Sequence, residues 1–386
     1  MVTAEKSRID CRHIDVLDGI RAVSVIIVLI FHFWQQTWIF PVIKTPWLAS
    51  VGITKIDFSN FATVGYLFVD MMVLISGFLL FLPLIRSIIL GEEMSSWKNY
   101  ARRRIARIVP SYYFAVLLLF FASALPTGAY ATTADALKDL FAHLTFTQTL
   151  WVNTYIATPL DVVLWTVAIE VWFYVLFPFV AEFIKGPRNK NRQSFTPAYG
   201  IFFIFAVFNI INYVYTENFV LKGNVYLAMR INQFPAFLGV YSIGMLGASA
   251  FVLIAKNCRR SRIFNAVNTL FSVCSILLIV YLINDCVATQ ERQVWQVTER
   301  SKLAFVFMTF IITTALSSKW YRWLFSNKFM RFLSGISYNL YIWHQWLAVQ
   351  CKNTWRIPKW SGEIPPNMLN ITYLSLIHIS EPTRPR

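Results

Sequence analysis

The chain has 386 residues, of which 57% are hydrophobic and only 14% charged. Soluble domains carry nearer ~25% charge, so this chain lacks the polar surface to cover itself in water. A mean hydropathy of +0.53 and 34 phenylalanines agree, which excludes an ordinary cytosolic enzyme, a disordered chain, a collagen-like repeat and a disulfide-rich secreted module. A net charge of +16 would suggest nucleic acid in a soluble chain. Here its placement matters more, and no nucleic-acid partner is expected.

Apolar runs long enough to cross ~30 Å of hydrocarbon fall at about 20–40, 64–86, 108–126, 162–184, 198–216, 232–255, 264–284, 302–318 and 333–351. The expected fold is therefore an all-α polytopic membrane protein with nine spans. The first run has a basic flank, but Trp34, Gln35 and Gln36 follow where a small-residue cleavage site would stand, so it reads as a retained signal-anchor. The N-terminal arm counted through Arg21 and segments 86–107, 185–193, 256–262 and 319–331 hold 22 basic residues, and the intervening loops 11. That bias places the N-terminus in the cytoplasm. Residues 127–160 form the longest stretch between spans and are expected to cap the outer face.

Residues 1–18 read as a cytoplasmic arm and 19–373 as one transmembrane domain. Leu374 to Arg384 spells LSLIHISEPTR, which resembles a translated sequencing-library adapter, so 374–386 are expected to be foreign to the protein. On that reading His378 has no role, and a tenth span would begin just after Pro365 and Pro366. The five cysteines, Cys11, Cys258, Cys274, Cys286 and Cys351, show no metal-ligand spacing, and no metal site is expected. Cys286 and Cys351 share the outer side and leave room for one bridge.

Ionisable groups inside spans are costly and usually functional. His32, Asp70, Glu170 and His344 each lie ~9–12 Å below the outer end of their span by helical rise, a common layer. Each could instead be a satisfied packing group, Asp70 most readily. Arg21 and His32 are eleven residues apart, ~20° off a whole number of turns, and so share a helical face ~16 Å apart. In RRRIARIVPSYY, Arg103, Arg104 and Arg107 sit at the inner mouth of the third span. Arg104 and Arg107 are one turn apart and suited to an anion such as phosphate; positive-inside topology alone would also place them there.

Together these segments resemble the acyltransferase 3 family of membrane O-acyltransferases over nearly all of residues 14–350. IDVLDGIRAVSVIIVLIFHFW carries the arginine and histidine as Arg21 and His32. GYLFVDMMVLISGFLLFLPL carries Asp70, Ser76 and Gly77, and RRRIARIVPSYY the arginine pair. LWTVAIEVWFYVLFP carries Trp165, Glu170, Phe173 and Tyr174, and SGISYNLYIWHQWL carries Ser337, Tyr338, Tyr341 and His344. Val171 and Trp172 depart from the family, which often has polar residues there, and a tenth helix is expected to be missing.

The resemblance implies an enzyme of the inner or plasma membrane with no permanently bound cofactor. Acyl-CoA, chiefly acetyl-CoA, would be the cytosolic donor. The acceptor would be a hydroxyl of an envelope polysaccharide, peptidoglycan or exported small molecule. Acyl transfer needs a base for the hydroxyl proton and a cation near the developing oxyanion. His32 is the expected base, oriented by Glu170 or Asp70. Arg21 would bind the donor or hold the channel, and Arg103, Arg104 and Arg107 would bind the donor's phosphates. Ser76, Tyr174, Tyr338 and His344 would lie on the acceptor side or be structural. The competing readings are a secondary transporter with an intramembrane proton relay, though neither inverted repeats nor broken spans are evident, and a non-catalytic membrane sensor.

Overall fold

In hydrocarbon every backbone N–H and C=O must find its partner within the protein, so long apolar runs close on themselves as helices. The computed structural model describes residues 9–11, 14–37, 41–186, 197–222 and 227–354, and nearly all of it is helical. The long elements are α1 (Asp15–Thr37), α2 (Phe68–Leu90), α3 (Trp97–Leu119), α4 (Thr133–Leu144), α5 (Trp165–Lys185), α6 (Pro197–Tyr215), α7 (Phe234–Asn257), α8 (Arg262–Ala288), α9 (Arg292–Leu316), α10 (Lys319–Ser326) and α11 (Lys328–Thr354). A small antiparallel hairpin joins α1 to α2: β1 (Val42–Lys44) pairs with β2 (Lys55–Asp57), Ile43 facing Ile56. The tail at 374–386, the place of a tenth span, His13 and the 187–193 loop lie outside the described residues.

Among the described residues, seven helices are long and apolar enough to cross a membrane, and an eighth candidate is a bent pair, Arg292–Leu316 with Lys319–Gln350, turning through 116°. The chain is a multi-pass membrane protein, but the expected nine separate spans become seven and a bent pair. The physical reason is charge. α9 starts ten residues before the expected 302, so Arg292, Glu299, Arg300 and Lys302 lie on the helix itself rather than in an outer loop. α3 likewise starts at Trp97, so Arg103, Arg104 and Arg107 occupy its first three turns instead of preceding it.

α7 runs through the middle of the bundle, with 72% of its apolar window buried against 22% for α6. Its widest contact is with α2. Glycines allow it: a Cβ on Gly244 would stand 2.5 Å from the Leu74 carbonyl oxygen, and one on Gly77 2.7 Å from that of Tyr241. Such close backbone approach through small residues is how helices pack tightly where lipid supplies no hydrophobic drive. α11 lies along α1, and α10 crosses α1 at Gly19. At the same end Arg260 donates to the carbonyls of Ala315 (3.0 Å), Leu316 and Ser317 (both 3.4 Å). It thereby satisfies acceptors left open by the end of α9, where the helix dipole favours a cation. Cys286 is free and buried, its Sγ 3.9 Å from the Tyr66 hydroxyl. The bridge considered for it is not formed.

Candidate active site

Helices α1, α2, α3, α5 and α11 surround a cavity of about 70 Å3. Arg21, Arg107, Ile108 and Tyr338 line one part of it, Ser76, Glu170 and Ser337 another, and Thr166 and Tyr341 another. Reading each helix by its direction sets these groups in order. Arg21 lies two turns into α1 and Arg107 three turns into α3, both rising from the basic end of the bundle. Thr166 opens α5 at the opposite end, and Glu170 follows one turn later.

Glu170 is the polar centre of this space. Its Oε1 accepts from Ser76 Oγ at 3.3 Å and from the Tyr174 hydroxyl. Ser76 comes from α2 and Tyr174 from the next turn of α5, so one carboxylate ties the two helices together. Below it, the guanidinium of Arg104 stands 4.9 Å from the centre of the Tyr174 ring and 5.6 Å from that of Tyr100. A cation over an aromatic face is attracted by the ring quadrupole. Arg104 therefore backs the Tyr174–Glu170 contact from outside the cavity, while its neighbour Arg107 lines the cavity with Arg21. The two arginines read from the sequence as one anion clamp are divided between these tasks. Arg103 is exposed on the same helix. Tyr338 donates to the Ile108 carbonyl at 3.0 Å, fastening α11 to α3.

Beyond Tyr341 the histidines meet. The rings of His32 and His344 lie 4.9 Å apart, and Tyr341 is 5.3 Å from His344. Nδ1 of His32 meets Gln35 Oε1 at 3.0 Å. Nδ1 of His344 donates to the Tyr341 carbonyl at 2.6 Å, and its Nε2 is buried without a hydrogen-bond partner. A carbonyl only accepts, so Nδ1 carries the proton and Nε2 of the neutral ring is a bare acceptor. The expectation that Glu170 or Asp70 orients His32 differs from this geometry. Gln35, His344 and the edge-on ring of Phe31 meet the imidazole.

Asp70 lies elsewhere. It is fully buried, and its Oδ2 accepts from Arg300 Nε at 3.3 Å. Arg300 also donates to the carbonyls of Ile231 and Ala236, each at 3.1 Å, and lies 4.4 Å over the Phe237 ring. The pair joins α2 to α9 and to the start of α7. Equal depth in four helices placed His32 beside His344 but did not collect all four groups, because depth leaves the direction around each helix open. Arg300 escaped the sequence reading among the polar residues of 290–302. The signal was present: Gln296, Arg300, Leu303 and Phe307 are buried at helical spacing.

The family model described as an acyltransferase domain matches residues 14–377. "Putative O-acetyltransferase SACOL0978" from Staphylococcus aureus (strain COL) is 26% identical over 355 residues, covering 86% of this chain and 50% of that protein. "Putative acetyltransferase ORF330" from Acidianus two-tailed virus is 25% identical over 291 residues, 72% of each chain. "O-acetyltransferase OatA" from Staphylococcus aureus (strain NCTC 8325 / PS 47) is 28% identical over 201 residues, 48% of this chain and 28% of that one. The chain spans about half the length of the first of these relatives. No solved structure matches it significantly.

Proposed function

Because the chain belongs to the acyltransferase 3 family, we propose that it is a membrane O-acyltransferase moving a small acyl group from acyl-CoA to a hydroxyl. The acceptor is a cell-envelope polysaccharide, peptidoglycan or an exported small molecule. The observation that carries this reading is the polar course from Arg21 and Arg107, past Glu170 and Ser76, to Tyr341 and the His32–His344 pair. The donor is acetyl-CoA, a short acyl group suiting a cavity of about 70 Å3. The names of the relatives, O-acetyltransferases, support the same choice.

In this mechanism the donor's phosphates rest near Arg103 and Arg107 at the basic end, and its thioester reaches inward. The acceptor enters from the hairpin end. Nε2 of His32 takes the hydroxyl proton, the oxygen attacks the thioester carbonyl, and the carbonyl π electrons move to oxygen. As the intermediate collapses, the C–S bond breaks, the acyl ester forms, and His32-H⁺ returns its proton to the leaving thiolate. Gln35 holds the imidazole through Nδ1, and the Glu170–Ser76–Tyr174 group keeps α2 and α5 in register around the acyl position. The basic bias of the loops supports a plasma-membrane protein with its N-terminus in the cytoplasm.

The test is reconstitution in liposomes with acetyl-labelled coenzyme A and an oligosaccharide acceptor. Label should appear on the acceptor, and free thiol should accumulate in equal amount. Counterflow of substrate with neither product would sink the acyltransferase reading in favour of transport.

A further inference from the structure

Among the buried carboxylates, Asp161 makes a contact that packing alone does not require. It lies just before α5, is 2% exposed, and caps the short 3-10 turn Val162–Leu164, its Oδ1 accepting from the Val163 N–H at 3.2 Å. An aspartate there is an ordinary cap. Its second oxygen is less ordinary: Oδ2 accepts from the backbone N–H of Trp346 at 3.0 Å, in the body of α11. A mid-helix N–H ordinarily bonds the carbonyl four residues back, so a carboxylate reaching it from another element marks a deliberate hold on that turn. The turn is the one that carries His344. Its ring donates Nδ1–H to the Tyr341 carbonyl, which in a regular helix serves the N–H of Gln345. The ladder around His344 is thus engaged from outside at two neighbouring points, once by its own imidazole and once by Asp161.

We propose that Asp161 is a positioning residue for the acyl-transfer site. By bridging the start of the Glu170 helix to Trp346, it fixes the turn of α11 in which His344 keeps Nδ1 protonated and Nε2 bare beside His32. The catalytic consequence rests on the acyltransferase reading above, while the consequence for the imidazole does not. The neutral imidazole has two tautomers, and which one is present is set by the hydrogen bond its other nitrogen makes. If the turn relaxes, the Tyr341 carbonyl returns to the helix, Nδ1 loses its acceptor, and the ring is free to take the other tautomer or rotate. The bare nitrogen then leaves its place next to His32.

The experiment uses the intact protein, 15N-labelled at histidine, in lipid, with His344 assigned by its loss in His344→Gln. Wild type should show Nδ1 as the protonated nitrogen and Nε2 as the unprotonated one at neutral pH. Asp161→Asn, which keeps one acceptor oxygen but presents an NH2 to the second N–H, should shift His344 to a tautomer mixture. Its kcat for acetyl transfer should fall on the order of 10²-fold, the scale of a small misplacement in an active site, with donor KM within about twofold. Asp161→Glu, which restores two acceptors on a longer arm, should recover the wild-type histidine spectrum and part of kcat. Protonated Nε2 in wild type overturns the proposal whatever the variants do, as does an unchanged His344 spectrum in a folded Asp161→Asn. A spectral shift without transfer activity in any form would keep the positioning role and overturn the acyltransferase reading instead.

Discussion

His32 and His344, from the first and last described helices, bring their imidazoles to 4.9 Å with both Nδ1 atoms engaged elsewhere. Two neutral rings thus present unprotonated nitrogens near one end of the site. Removing a general base typically costs ~10²–10⁴-fold in rate. His32→Ala should lose acceptor acetylation by that factor while still inserting in the membrane and binding donor, and His344→Ala should lose less. Steady-state transfer in liposomes checks both. Near-normal turnover in His32→Ala with collapse in His344→Ala would exchange their roles.

Arg21 and Arg107 line the cavity, whereas Arg104 stacks on Tyr100 and Tyr174. Arg107→Gln should therefore raise the donor KM, more at low ionic strength, where charges are least screened. Arg104→Lys should act differently. It keeps the charge but loses the planar group that covers the ring, so kcat should fall with donor KM little changed. Kinetics at two salt concentrations separate the cases, and equal KM effects from both substitutions would restore the paired clamp.

The Asp70–Arg300 pair is buried in the bundle, which makes its partners interdependent. Breaking a buried pair on one side costs about 3–5 kcal/mol, while replacing both with apolar groups is often neutral. Arg300→Met alone should lower the unfolding midpoint in detergent sharply, and Asp70→Leu with Arg300→Met should recover most of it. If the double variant is stable yet inactive, Asp70 serves the reaction as well as the fold.

Burial pushes the Asp161 carboxyl up to about 7, against the pull of the Val163 and Trp346 N–H groups and of His143. An unfolded aspartate titrates near ~3.9. Between these values the folded protein holds a proton that the unfolded chain has released. The stability this group contributes is therefore full below ~3.9 and is lost as pH rises through about 7. Asp161→Asn should flatten that part of the stability–pH curve. His143, paired with Asp139 at 3.2 Å, and Tyr341 on α11 are the other titratable groups near it and remain in the variant. Thermal unfolding from pH 4 to 8 reads the slope, and an identical slope in wild type and variant would remove Asp161 from the linkage.

Much of this protein was legible along the chain. The apolar runs became helices at nearly the expected places, because in lipid a long apolar segment has no other way to satisfy its backbone. Arg21 and His32 share a face by arithmetic alone, and the spacing of the motifs carried the family. Where polar residues interrupted hydropathy the reading failed: α9 and α3 begin earlier than expected because a helix can pack one face while carrying its charges on another, which a sum over residues does not register.

What only the tertiary structure decided is which side chains meet. Depth along a helix follows from rise per residue, but the azimuth at which one helix faces another depends on packing, here set by close crossings at Gly77, Gly244 and Gly19. That rotation turned Asp70 toward Arg300 and away from His32, gave His32 the company of Gln35 and His344, and divided Arg104 from Arg107. It also carried Asp161, a residue that reads locally as a helix cap and no more, to a backbone N–H on α11. Local sequence dictated each helix; the pairing of their faces came from contacts between residues far apart in the chain, which no periodicity encodes.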